Sequence, residues 1–133
     1  MSFSNYLETH LLDQIVGKTD YTMPTAYVAL FIGDPTDAGT GGAEVSGGNY
    51  ARVSTAGTDW NAAASGSISN AEDITFPEAT ADWGEIDYFA IYDASSGGNL
   101  LASGALDTSK TVSSGDTPKF AGGTPGALVI TLD

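Results

Sequence analysis

Glu85-Ile86-Asp87-Tyr88-Phe89-Ala90-Ile91-Tyr92 is dense in β-branched and aromatic residues and ends at Asp93 and the run Ser95-Ser96-Gly97-Gly98. Such side chains fit a pleated, packed surface, and glycines beside short polar residues let the chain reverse. Directly after the turn, Asn99-Leu100-Leu101-Ala102-Ser103-Gly104-Ala105-Leu106 is apolar again. The pair therefore reads as an antiparallel hairpin closed by a loop of about five residues.

Upstream, Tyr27-Val28-Ala29-Leu30-Phe31-Ile32 is apolar at both alternating sets of positions, as a strand covered on both faces would be, and Gly33-Asp34-Pro35 ends it. Residues 34–49 hold Gly39-Thr40-Gly41-Gly42 and Ser46-Gly47-Gly48-Asn49 and read as a long Gly-rich surface loop, too flexible and polar to pack. Short strands are expected at Tyr50-Ala51-Arg52-Val53 and within 67–76, the latter interrupted around Asn70 to Asp73. Others are expected near Lys110 to Val112 or Thr117 to Phe120, and at Ala127 to Leu132, where Leu128, Ile130 and Leu132 share a face.

Only the beginning has a helical period. From Asn5 to Val16 the apolar residues Leu7, Leu11 and Ile15 recur every four positions, with Leu12 and Val16 beside them. Asn5 with Glu8 resembles a capping pair, Gly17 offers a left-handed stop, and Lys18 puts a cation near the carbonyl end. A helix of roughly 12 residues is marginal alone, so the stripe must dock on its own domain or on a neighbour. One helix within residues 1–17, then roughly seven or eight short strands with frequent turns, predicts a mainly β fold. The expected architecture is an antiparallel β-sandwich or flattened barrel with one N-terminal α-helix, in a single domain spanning 1–133.

Composition narrows function. Seventeen acidic residues against four basic ones leave a net charge of −13, which repels phosphate backbones and anionic lipid surfaces. Nucleic-acid and membrane partners are therefore not expected. There is no cysteine, so disulfides and thiolate metal sites are unavailable. The N-terminal residues lack a basic and apolar leader pattern, and no stretch approaches the roughly 20 apolar residues of a membrane span.

The sole histidine, His10, sits on the helix beside the apolar stripe, and no Gly-x-Ser-x-Gly elbow accompanies it. Carboxylates are plentiful: Asp82, Glu85, Asp87 and Asp93 flank one strand, and Asp34 and Asp37 share a turn. Regular alternation puts Asp87 and Asp93 on the face of Phe89 and Ile91, ringing an aromatic patch rather than forming a glycosidase pair. No EF-hand spacing favours calcium, and Gly39-Thr40-Gly41-Gly42 lacks the lysine and following helix of a phosphate cradle. Tyr88, Phe89, Tyr92, Trp60 and Trp83 read as core area more readily than as a sugar platform. No catalytic residue, cofactor or metal is therefore assigned, and the chain reads as a binding or structural module. Its candidate contact residues are Leu7, Leu11 and Ile15 on the helix and Gly41, Gly42, Gly47 and Gly48 in the loop, whose backbone can order on docking. Arg52, one of four cations, reads as half of an ion pair.

Several stretches carry a likeness extending over nearly the whole chain. They are Ser4-Asn5-Tyr6-Leu7 with Leu11-Leu12-Asp13 and Gly17; Tyr27-Val28-Ala29-Leu30-Phe31; and Glu44-Val45-Ser46-Gly47-Gly48-Asn49-Tyr50-Ala51-Arg52-Val53. Phe76-Pro77, Ala79-Thr80, Asp82-Trp83-Gly84 and Gly98-Asn99-Leu100-Leu101-Ala102 with Gly104-Ala105-Leu106 complete it. With these the chain resembles a family of small tailed-bacteriophage virion proteins, called tail-fibre-like or minor structural proteins. The resemblance implies a non-enzymatic virion component that binds other subunits. The leading expectation is a capsid decoration (cement) protein bound to the major capsid protein on the capsid exterior. The alternative is a tail fibre or a tail-tip or baseplate protein bound to tail subunits and contacting a carbohydrate receptor. A dimer or trimer in the virion and synthesis in the bacterial cytoplasm are expected with either.

Overall fold

The computed structural model describes residues 2–132; Met1 and Asp133, the ends of the expected 1–133 domain, lie outside the described residues. In chain order the elements are β1 (Ser2–Phe3), α1 (Asn5–Ile15), β2 (Ala26–Ile32), β3 (Ala43–Glu44), β4 (Val53–Thr55), a 3-10 turn (Gly57–Asp59) and β5 (Ser67–Ser69). They continue with β6 (Ile74–Thr75), β7 (Gly84–Tyr92), β8 (Leu100–Val112), β9 (Lys119–Phe120) and β10 (Val129–Thr131). The fold is mainly β, with antiparallel sheets and one N-terminal helix, as the alternation and turn chemistry predicted.

The quoted hairpin is its centre. β7 pairs with β8 on one side and β2 on the other, with Leu30 opposite Phe89 and Ala29 opposite Ala90. The main sheet runs β1-β8-β7-β2-β3, and β4 also pairs with β2. Both faces of β2 are covered, which explains its unbroken apolar run: Val28 and Leu30 join the larger cluster, Ala29 and Phe31 the smaller one with Ala90, Tyr92 and Leu100. The two-stranded pairs β5–β10 and β6–β9 complete a layered arrangement that does not close into a barrel, so of the two architectures expected the sandwich fits.

Asn70 holds that second layer together. It is fully buried; its Oδ1 accepts the Leu128 N–H at 2.9 Å, and its Nδ2 donates to the carbonyls of Glu72 (2.9 Å), Phe120 (3.1 Å) and Ala121 (3.2 Å). One side amide thus bonds backbone groups of three separate stretches, which accounts for the interruption at 70–73.

Several expectations are corrected. The helix begins later than a 1–17 assignment suggests, because Ser2–Phe3 pairs with β8, and its cap is Ser4, not Asn5. Ser4 Oγ accepts the Leu7 N–H at 3.1 Å and donates to the Leu100 carbonyl, joining the helix start to the sheet. The 34–49 segment is mostly exposed, yet it is not a free excursion. Ala43–Glu44 pairs with β2, Val45 donates to the Leu30 carbonyl, and Val45 and Pro35 are buried. The strand placed at Tyr50 to Val53 lies at Val53–Thr55, and Lys110 to Val112 continues β8 instead of standing alone. Tyr50 has another use: its hydroxyl accepts the Leu30 N–H at 3.0 Å, between the stretches of β2 covered by β3 and β4.

The carboxylate placement also changes. The β7–β8 register shifts between Ile86 and Tyr88, so Ile86 and Phe89 both reach the larger cluster although they are three positions apart, which regular alternation would put on opposite faces. Asp87 lies at this irregularity and accepts the Gly33 N–H at 2.7 Å. Asp93 closes the hairpin turn by accepting from Asn99 N (2.7 Å) and Nδ2 (2.9 Å). These acids satisfy turn donors; they do not ring an aromatic patch.

Candidate interaction site

The apolar stripe of α1 divides along its length. Leu7 is buried at 3% exposure, Leu11 is half-buried against the core, and Ile15 stands 77% exposed with Leu12 and Val16 also exposed. The first turn is held down by Ser4 and β8, whereas the later turns run past the region where the stripe is covered. Leu7 is thus a core residue, and the free apolar flank consists of Leu12, Ile15 and Val16, at the i, i+3, i+4 spacing that makes helix neighbours.

Beside the helix start lies an apolar cleft of about 370 Å³. Leu7, Ile91 and Leu101 form its buried wall, while Met23, Trp60, Ile68, Ile130 and Leu132 line the more accessible parts. The main sheet supplies one side and the β5–β10 pair the other, the latter fixed through Asn70 and by Val129 opposite Ser69 and Ile130 opposite Ile68. Met23 and Leu132 are 57% and 52% exposed, so apolar surface continues from the interior to solvent. Such a feature marks a place where another apolar group gains by leaving water.

A second hollow, of about 430 Å³, mixes polar groups with the apolar surface of Phe31, Tyr92 and Leu100. Its floor is Arg52, which grips Glu44 through Nε (3.0 and 3.1 Å) and Nη2 (2.9 Å) and donates through Nη1 to the carbonyls of Ala94 and Gly97, both at 2.8 Å. The guanidinium carbon lies 3.8 Å from the centre of the Tyr92 ring. Only 7% of the Arg52 side chain is exposed. Burial pushes the Tyr92 phenol upward, against the opposing pull of Arg52. The ion pair expected of Arg52 is therefore internal, tying β3 to the hairpin turn after β7, and its donors are largely committed to protein acceptors.

The glycines singled out in the loop take turn positions. A side chain at Gly41 or Gly42 would press on the backbone of residues 33–35, and Gly48, at φ +55°, lies against Trp83, whose Nε1 donates to the Gly48 carbonyl at 2.9 Å. Gly47, at φ +73°, has open space beside it. The structure does not bring these glycines together with the helix flank. Trp60 and Met23 were not singled out for the cleft, since their partners lie far away in sequence; the clue available was a tryptophan and a methionine set among polar residues.

His10 is packed, with its ring centroid 4.3 Å from that of Tyr6 and 4.8 Å from that of Tyr21. Its Nδ1 lies 2.8 Å from the Tyr6 carbonyl and donates to it, so that nitrogen is occupied. Among the described residues, no group of three or more His, Asp or Glu side chains is placed to hold a metal ion, and no helix is long and apolar enough to cross a membrane.

A small layered β domain that presents an apolar cleft, with its arginine and histidine engaged internally, defines a structural or binding module. Residues 2–127 match the family described as podophage GP4 fiber I protein gp80, and the chain belongs to that family. It is a phage virion structural protein of the fibre-like kind. No curated protein matches it.

Proposed function

We propose that this chain is a non-catalytic component of the phage fibre apparatus that attaches to a neighbouring virion subunit through the apolar cleft. The cleft carries this reading: a space of about 370 Å³ with an almost wholly apolar lining, held open between two layers, is suited to gripping an apolar side chain. The family's description as a fibre protein supports the placement. Capsid decoration is the second reading, favoured by a layered fold built around one main sheet.

Cryo-electron microscopy of particles carrying a tagged chain tests both. Density confined to fibres or tail is expected. Density spread over the icosahedral shell would overturn the fibre placement in favour of decoration, and absence from purified particles would overturn both.

A further inference from the structure

The cleft differs sharply in chemistry from the surface around it. Its lining is apolar, whereas the chain as a whole carries a net charge of −13, and Glu8 and Asp20, close in sequence to the lining residues Leu7 and Met23, are exposed. Positive charge is scarce everywhere. Of the four cations, Arg52 is enclosed by Glu44 and two carbonyls, and Lys119 is paired with Asp73 at 3.0 Å, which leaves only Lys18 and Lys110 to set against the rest of the seventeen acidic residues.

We propose that the cleft receives a short segment of a different virion subunit, carrying one bulky apolar side chain flanked by lysine or arginine. This rests on the structural-module reading above and adds the chemistry of the partner. The apolar side chain enters between Trp60, Ile68 and Ile130 and is removed from water. Flanking basic side chains lay their methylene stems along the exposed Met23 and Leu132 and hold their charges toward the net-negative chain. A second copy of this chain, itself net negative, complements this cleft less well than a basic segment does, whatever contacts it makes elsewhere.

The probe can be almost isosteric. The chain has two methionines, and Met23 lies in the cleft wall, so photo-methionine incorporated during phage growth puts a light-activated group there without blocking it. Irradiation of intact particles, followed by mass spectrometry of adducts at Met23, identifies the occupant. The expected adduct is a peptide of another subunit with Lys or Arg close to the attachment point. Its yield should fall several-fold when the chain carries Glu8→Lys with Asp20→Lys, two exposed positions outside the core. An adduct to this chain's own peptides, an adduct to an acid-flanked segment, an unchanged yield after charge reversal, or no Met23 adduct in particles that contain the chain would each overturn the proposal. Particles that lack the chain altogether would instead sink the structural-module reading on which it rests.

Discussion

Replacing Arg52 by alanine tests whether its contacts at the second hollow form an internal clamp. The substitution removes three contacts to the Glu44 carboxylate, two donors to the Ala94 and Gly97 carbonyls, and the cation over Tyr92. Stranding a fully buried charge costs about 3–5 kcal/mol. Glu44 is 25% exposed, so water recovers part of its solvation, and the lower end, about 3 kcal/mol, is expected. For a domain of this size that corresponds to a fall of about 10 °C in Tm. Urea unfolding followed by tryptophan fluorescence measures it, with Glu44→Gln and the double variant completing a cycle. A coupling of about 1–3 kcal/mol between the two positions is expected, because each side chain is the other's principal partner. Arg52→Lys keeps the charge but loses the planar fork and should recover only part of the loss. A cost for Arg52→Ala within about 0.5 kcal/mol of zero, or additive single costs, would refute the clamp.

Two further outcomes follow from the same geometry. Leu7→Ala should cost about 3 kcal/mol, whereas Ile15→Ser should change stability by no more than about 0.5 kcal/mol, since Leu7 is buried and Ile15 projects into water; chemical denaturation separates them. Alkaline pH should weaken the fold through Tyr50, whose phenol is raised first by burial, with the Leu30 N–H and Arg52 pulling the other way. The folded state then keeps a proton that the unfolded chain releases, so the contribution is complete below about pH 10 and is lost as pH rises beyond it. Tyr50→Phe should flatten that alkaline slope while costing about 1–2 kcal/mol at neutral pH, where the Leu30 N–H loses its acceptor. An unchanged slope in pH-dependent unfolding would contradict the assignment.

The strands and the helix were legible to different depths. Tyr27 to Ile32 and Glu85 to Tyr92 declared themselves because both faces of each are covered, and that condition is written in consecutive residues. Val45 and Pro35 were hidden within a glycine-rich stretch, since a single apolar residue has no period and only its pairing with β2 buries it. Asp87 was misplaced because alternation presumes an unbroken register, and the shift beside Tyr88 depends on extra residues in the partner strand.

The candidate site shows the same division. Leu7, Leu11 and Ile15 share one helical period, but their exposures diverge because the β8 edge and the Ser4 contacts hold only the first turn in place. Local chemistry, meaning apolar periodicity, turn residues and charge balance, is encoded over a few neighbouring positions, so the sequence alone determined an acidic, mainly β domain with one leading helix. The cleft draws its walls from positions as far apart as Phe3 and Leu132, and Arg52 finds Glu44, Ala94 and Gly97 only once the sheet brings them together. Contacts between residues so distant along the chain depend on strand register and layer packing, and these are set by the whole fold acting together.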